Sequence, residues 1–344
     1  MTREAQELPP PEPLPRDLEG PRLRRRALQV IALLGVVGLV AWFAPGLGEV
    51  RDRLSNADPW WLALGVLLEL LSCLSYVLMF KPVFCPRMTW RSSYELGMSE
   101  LAVGSIVPAS GAGGLALGAW ALSKGGMPGI EIARRSVAFF VIKSSVNFVA
   151  VFVVGMVMFL GVGPSTPVWL TLGPAILALA FLAIVPLIGL LGHPSKPRWF
   201  AVAVESLGDG VREAGRVLAR RDWRVFAGAI GYWIFDNAVI WACFRAFGEH
   251  PPITLVLMGY LIGQLGGLLP LPGGLGGIDG GLIGTMIVYG LPAAAVAASV
   301  LAYRVILFWL PLVLGGIAFA SLRKNLNNPD RPDLCDPFGR RIPA

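Results

Sequence analysis

Six charged side chains fall where a charge is hardest to keep. Glu69, Lys143, Asp236 and Arg304 lie in long apolar runs, and Glu100 and Asp279 flank two runs broken by glycine and proline. A lone charge in hydrocarbon costs about 2.5 kcal/mol or more, so such residues are paired, wetted or functional. Two readings stay open at each position. Carboxylate and cation neutralise one another structurally, or together they form a polar cavity that accepts a charged substrate. Lys143 and Asn147 share a helical face one turn apart, and Arg304 is too deep in its run, between Tyr303 and Phe308, to be an interface anchor. Arg245 differs, because Phe247, Gly248 and Glu249 place it near a surface to which it can snorkel.

Other chemistries find little support. Cys73, Cys85, Cys243 and Cys335 make no Cys-x-x-Cys pair and are expected to be inert thiols, with neither a disulfide framework nor a zinc site. The two histidines, His193 and His250, fall on opposite faces of the membrane in the topology below, so no metal is expected between them. The Gly-x-x-x-x-Gly-Lys-Ser/Thr phosphate loop is absent, and no nucleophile–base pair is visible. No enzymatic activity and no cofactor are therefore expected. The net charge of +7 needs no nucleic acid, since the basic residues distribute as a topology signal.

The elements that must position these charges are transmembrane helices. Of 344 residues 55% are apolar and only 15% charged, against about 25% charged in soluble proteins. That leaves too little polar surface for a globule of this size. Apolar runs of the length needed to cross a bilayer predict six full spans, roughly at 27–44, 59–80, 134–162, 168–191, 224–247 and 293–322. The broken segments lie at about 95–123 and 253–291. Their centres read PASGAGG, Pro108 to Gly114, and PLPGGLGG, Pro270 to Gly277. With Pro108 and Pro272 as origins, each is followed twenty residues on by a Gly-x-Pro end, Gly126-Met127-Pro128 and Gly290-Leu291-Pro292, and Glu100 falls opposite Gln264.

Arg24, Arg25 and Arg26 before the first span put the N-terminus in the cytoplasm by the positive-inside rule, and the later basic clusters keep the topology consistent, with both termini inside. The first broken segment, flanked by Arg91 and Lys124, must then enter and leave from the cytoplasm; the second must enter and leave from outside. Two re-entrant helical hairpins of opposite polarity are expected, in an inverted-topology repeat with halves at about 59–162 and 224–322. One kinked span per segment is the alternative. The hairpin backbone offers Pro108, Gly111, Gly113 and Gly114 in one half and Pro272, Gly273, Gly274 and Gly276 in the other as candidate head-group contacts, beside Glu100, Lys143, Gln264, Asp279 and Arg304. Gly273, Gly277 and Gly281, and Gly276, Gly280 and Gly284, could equally serve close helix packing. Around residues 200–220, Phe200, Val204, Leu207, Val211 and Leu218 recur at helical spacing, predicting either an interfacial amphipathic helix or a linker helix packed on its own protein. Residues 1–23 and 323–344 read as cytoplasmic tails, the first disordered, around a transmembrane domain at 24–322.

The stretches PLPGGLGGIDGGLIG and GLPAAAVAASVLAYRVILFWLPLVLGG, with SELAVGSIVPASGAGGLALGAWALSKGGMPGIEIA before them, resemble the lysylphosphatidylglycerol synthase transmembrane family, the flippase-like domain. The resemblance covers about residues 27–322. It implies an all-α polytopic plasma-membrane protein that moves lipids between leaflets, here without the aminoacyl transferase domain of the larger members. Asp279 stands where the family often has Glu, and PASGAGG is less polar than the usual first motif. The expected substrate is a phospholipid or polyprenyl-phosphate head group, held by Lys143 and Arg304 at phosphate and by Glu100 and Asp279 at an amine or a coupling proton. The partners expected are membrane lipids and no nucleic acid, with a homo-oligomer permitted. The alternatives are a membrane enzyme acting on lipid head groups and a non-transporting scaffold.

Overall fold

The computed structural model describes residues 22, 24, 25, 27–29, 31, 32, 35, 48–106, 112–191, 198–264, 277–328, 334 and 335. Among them all regular structure is helical: α1 (Gly48–Ser55), α2 (Pro59–Phe84), α3 (Trp90–Ile106), α4 (Ala112–Lys124), α5 (Gly129–Phe159), α6 (Val168–Leu191), α7 (Arg198–Ala219), α8 (Trp223–Ala246), α9 (Ile253–Gly263), α10 (Gly277–Val288) and α11 (Ala293–Leu326). Five of these, α2, α5, α6, α8 and α11, are long and apolar enough to cross a membrane. They match five of the six expected spans. The expected first span, at 27–44, lies mostly outside the described residues, as do the N-terminal tail and most of the C-terminal one.

Local chemistry sets the helix ends identically at places 164 residues apart. Asp58 and Asp222 cap α2 and α8, each accepting the backbone N–H two residues on, at 2.9 and 3.0 Å. Gly126 and Gly290 stop α4 and α10 in the left-handed region, at φ of 96° and 90°. In both turns the next residue's N–H returns to the carbonyl five back, Met127 to Leu122 and Leu291 to Met286. Pro128 and Pro292 then cap α5 and α11 in extended conformation.

α2 and α8 pack antiparallel along their lengths. Trp61 meets Trp241 with ring centroids 5.5 Å apart, Gly65 faces Val239 and Gly228 faces Met79, and the Ser72 hydroxyl donates to the Tyr232 carbonyl. The mid-points of the two helices meet near Leu70 and Ile234. α3 packs on α4 and α9 on α10, while α11 packs along α3. Both ends of the α3–α4 unit lie beside the same end of α11: Glu95 accepts from Ser321 and Asn325, and Lys124 donates to Asn327. Both ends of the α9–α10 unit lie beside the α5–α6 connection, where Thr254 faces Gly163 and the Tyr289 hydroxyl donates to the Leu170 carbonyl. At 1.5 Å per residue, α9 reaches about 16 Å, half of a hydrocarbon core about 30 Å thick.

Packing bears on two expectations. α7 lies on its own protein, with Gly210 against Val137, and Glu213 buried between Arg134 and Arg216; its apolar stripe covers α5 and α6. The expectation of inert thiols fails for one pair: Cys85 and Cys335 form a disulfide with Cα atoms 5.0 Å apart. Cys85 ends α2, and the preceding Leu334 seats on Gly125 at the turn after α4, its N–H bonded to the Gly125 carbonyl. A separation of 250 residues left no spacing motif to announce the meeting. Cys73 and Cys243 are free and buried.

Candidate functional site

The interior charges gather around the α2–α8 crossing. On one side, α3 carries Glu100, which is buried and accepts the Tyr76 hydroxyl of α2 at 2.9 Å. Its carboxylate fits because Gly118 of α4 has no side chain; a Cβ there would overlap the Glu100 carboxylate. Gly114 does the same for the backbone, since a Cβ there would stand 2.5 Å from the Glu100 carbonyl oxygen. Gly113 is buried in the first turn of α4 beside it. Lys143 comes from α5, its ammonium 5.8 Å from the Tyr76 ring centre and 5.6 Å from that of Tyr232. Cation–π contact of this kind holds an ammonium without neutralising it. Among the described residues no carboxylate lies within ion-pair distance of Lys143, although the fields of Glu100 and Asp236 reach it.

On the other side, Asp236 of α8 is buried and accepts two hydroxyls, from Tyr260 of α9 and from Tyr303 of α11, the second at 3.2 Å. Arg304 of α11 is committed to Asp279 of α10, Nε to Oδ1 at 2.6 Å. The ion-pair reading expected at each interior charge thus holds for Arg304 and Asp279, and not for Glu100, whose partner is a tyrosine. Asp236 lies in the fields of both Arg304 and Lys143, and Glu100 in that of Lys143. Gln264 caps the C-terminal end of α9 and shares in none of these contacts among the described residues. Pro108, Gly111, Pro272, Gly273, Gly274 and Gly276 lie outside the described residues.

The glycine stripes divide by role. Gly281 approaches Gly263 so closely that a Cβ would strike the Gly263 carbonyl, whereas Gly280 and Gly284 open onto empty space. Arg245 lies over Trp61 and Trp241 at 5.1 and 5.6 Å.

Sequence reasoning missed the tyrosines. Tyr76, Tyr232, Tyr260 and Tyr303 are individually unremarkable in apolar runs. A signal existed: Tyr76 to Glu100 and Asp236 to Tyr260 have the same separation of 24 residues. It also missed Glu95, buried under Ser321, Asn325 and Arg91, which ties the start of α3 to the end of α11.

This combination of long apolar helices, paired short ones and interior charges defines a polytopic membrane protein. The family model for the lysylphosphatidylglycerol synthase TM region matches residues 29–315, and the chain belongs to that family. Two UPF0104 membrane proteins of Methanothermobacter thermautotrophicus are similar to it. One is 25% identical over 83% of this chain and 93% of its own length. The other is 26% identical over 89% of this chain and 95% of its own. The UPF0104 membrane protein MJ1595 of Methanocaldococcus jannaschii is 28% identical over 31% of this chain and 33% of its own.

Proposed function

We propose that the protein is a flippase-like lipid transporter that passes the head group of a phospholipid or polyprenyl phosphate across the membrane without altering it covalently. The observation that carries this reading is Lys143: a half-buried side chain whose ammonium is held by tyrosine faces, with no ion-pair partner among the described residues, at the meeting of two sets of helices. Such a cation is available to a phosphate, whereas the Arg304 guanidinium is already engaged by Asp279. The tyrosine hydroxyls around it suit the remaining polar atoms of a head group while the acyl chains stay in lipid.

The shift of 164 residues between equivalent caps and turns supports reading the two sets as an inverted-topology repeat. The shared level of both ends of each short-helix unit supports re-entrant hairpins, one from each face, in preference to kinked spans. In that arrangement the N-terminus is cytoplasmic, the protein sits in the plasma membrane, and rocking of one half against the other at the α2–α8 crossing alternates access to the interior charges. Glu100 supplies the anionic side of the cavity, for an amine on the head group.

The test is translocation of head-group-labelled phospholipids and a polyprenyl phosphate in reconstituted vesicles. Lys143→Gln is expected to abolish transport of phosphate-bearing lipids at normal expression, and Arg304→Gln to lower it severalfold. Unchanged transport by Lys143→Gln would remove the anion site from the mechanism, and a chemically altered lipid product would replace transport by catalysis.

A further inference from the structure

Glu69 is the interior charge that the transport reading leaves unused. It lies on α2 at the α2–α8 crossing and is 5% exposed. Its Oε2 has no hydrogen-bond partner, and its Oε1 meets only the Cys73 thiol, one turn on, at 3.5 Å. Between the Gly65–Val239 and Ser72–Tyr232 contacts the antiparallel register sets Glu69 against residues 235 and 236 of α8, and the field of Asp236 acts on it directly.

The groups facing the two carboxyls account for one negative charge and not for two. Asp236 receives hydroxyls from Tyr260 and Tyr303 and lies in the fields of Arg304 and Lys143. Glu69 receives none of this. Around it stand Cys73 on its own helix and, on α8, Tyr232 and Asp236. A buried carboxylate with one long thiol contact as its sole donor, beside a second, well-held carboxylate, is an arrangement that neutralises itself by taking a proton. A metal is a poor occupant, because among the described residues no three His, Cys, Asp or Glu side chains come together. A proton needs only the bare Oε2.

We infer that Glu69 and Asp236 form a proton-binding site at the α2–α8 crossing, in which Glu69 carries one exchangeable proton and Asp236 remains the anion. The place matters: the mid-points of α2 and α8 meet there, so any sliding of one helix on the other changes the distance between the carboxyls. Proton occupancy and the relative position of the two helices are then linked, and release of the proton requires the pair to separate or to meet water.

Infrared difference spectroscopy of the reconstituted protein tests this without any lipid being moved, so this inference and the transport reading fail separately. The spectrum of the unaltered protein minus that of Glu69→Gln is expected to hold the carbonyl stretch of an un-ionised carboxylic acid, moving to lower frequency in D2O. Asp236→Asn, which keeps the shape and removes the charge, is expected to shift that band, whereas Glu249→Gln, at the surface, leaves it in place. Loss of only carboxylate stretches in Glu69→Gln would overturn the proposal. An acid band that Asp236→Asn leaves untouched would overturn the pairing. If Glu69→Gln fails to fold, the D2O-sensitive acid band of the unaltered protein and its response to Asp236→Asn decide between the same outcomes.

Discussion

The helices from α2 to α5 and those from α8 to α11 share a frame and fill it with opposite chemistry. Both sets begin on an aspartate cap, fold a pair of short helices together through glycines, turn on a left-handed glycine and leave through a proline. In the first set the tyrosine is on the long helix and the carboxylate on the short one, Tyr76 to Glu100; in the second the aspartate is on the long helix and the tyrosine on the short one, Asp236 to Tyr260. The first set leaves its cation, Lys143, on aromatic faces, while the second pairs its cation with Asp279. Frame and chemistry are separable: caps and turns set where helices end, and interior residues decide which set presents charge.

The glycines break the comparison most sharply. Gly281→Ala forces a Cβ into backbone, the Gly263 carbonyl, and is expected to cost about 3 kcal/mol with no side chain able to relieve it. Gly118→Ala forces a Cβ into the Glu100 carboxylate and should cost about 2 kcal/mol. That cost should largely vanish in the Glu100→Ala background, because the two sites share one clash. Thermal unfolding of the single and double variants in detergent measures both, and additivity of Gly118→Ala with Glu100→Ala would contradict the assignment.

The tyrosine exchange sharpens it further. Tyr76→Phe removes the hydrogen bond to Glu100 and should destabilise by about 2 kcal/mol. Tyr260→Phe should cost about 1 kcal/mol, since Tyr303 still donates to Asp236. Equal losses in the same unfolding measurement would mean that Tyr303 does not hold Asp236.

The caps give the smallest effect. Asp58→Ala and Asp222→Ala should each lose about 1 kcal/mol. A hydrogen bond from Arg224 holds the Asp222 carboxyl below its usual range, so its contribution is present above the ordinary aspartate value of about 3.9 and fades as pH falls through the lower folded value. The gap between the unaltered protein and Asp222→Ala should therefore narrow only on acidification past that point, and a gap that narrows near neutral pH would contradict it.

Five of the six expected spans were legible because apolar length is a strong signal, and the paired Gly-x-Pro ends gave away the turns after α4 and α10. The ion pair of Arg304 with Asp279 was legible as a class of outcome, two interior charges needing partners. What could not be read was partner choice. Tyr76 and Glu100 meet only because Gly118 leaves room, and Cys85 meets Cys335 only because Leu334 docks on Gly125. These are consequences of packing in three dimensions, to which composition and periodicity are blind. The packing of residues 200–220 on α5, with Glu213 buried against Arg134, belongs to the same class.

The proposed upside-down relation of the two halves is tested most directly by labelling single cysteines in a background with Cys73, Cys85, Cys243 and Cys335 replaced by serine. Thr89→Cys and Ser123→Cys bracket the first pair of short helices; His250→Cys and Ala293→Cys bracket the second. With a membrane-impermeant thiol reagent on sealed vesicles, Thr89→Cys and Ser123→Cys are expected to react from one face and His250→Cys and Ala293→Cys from the other. Reaction of Thr89→Cys and Ser123→Cys from opposite faces would make α3 and α4 a single crossing and contradict the account.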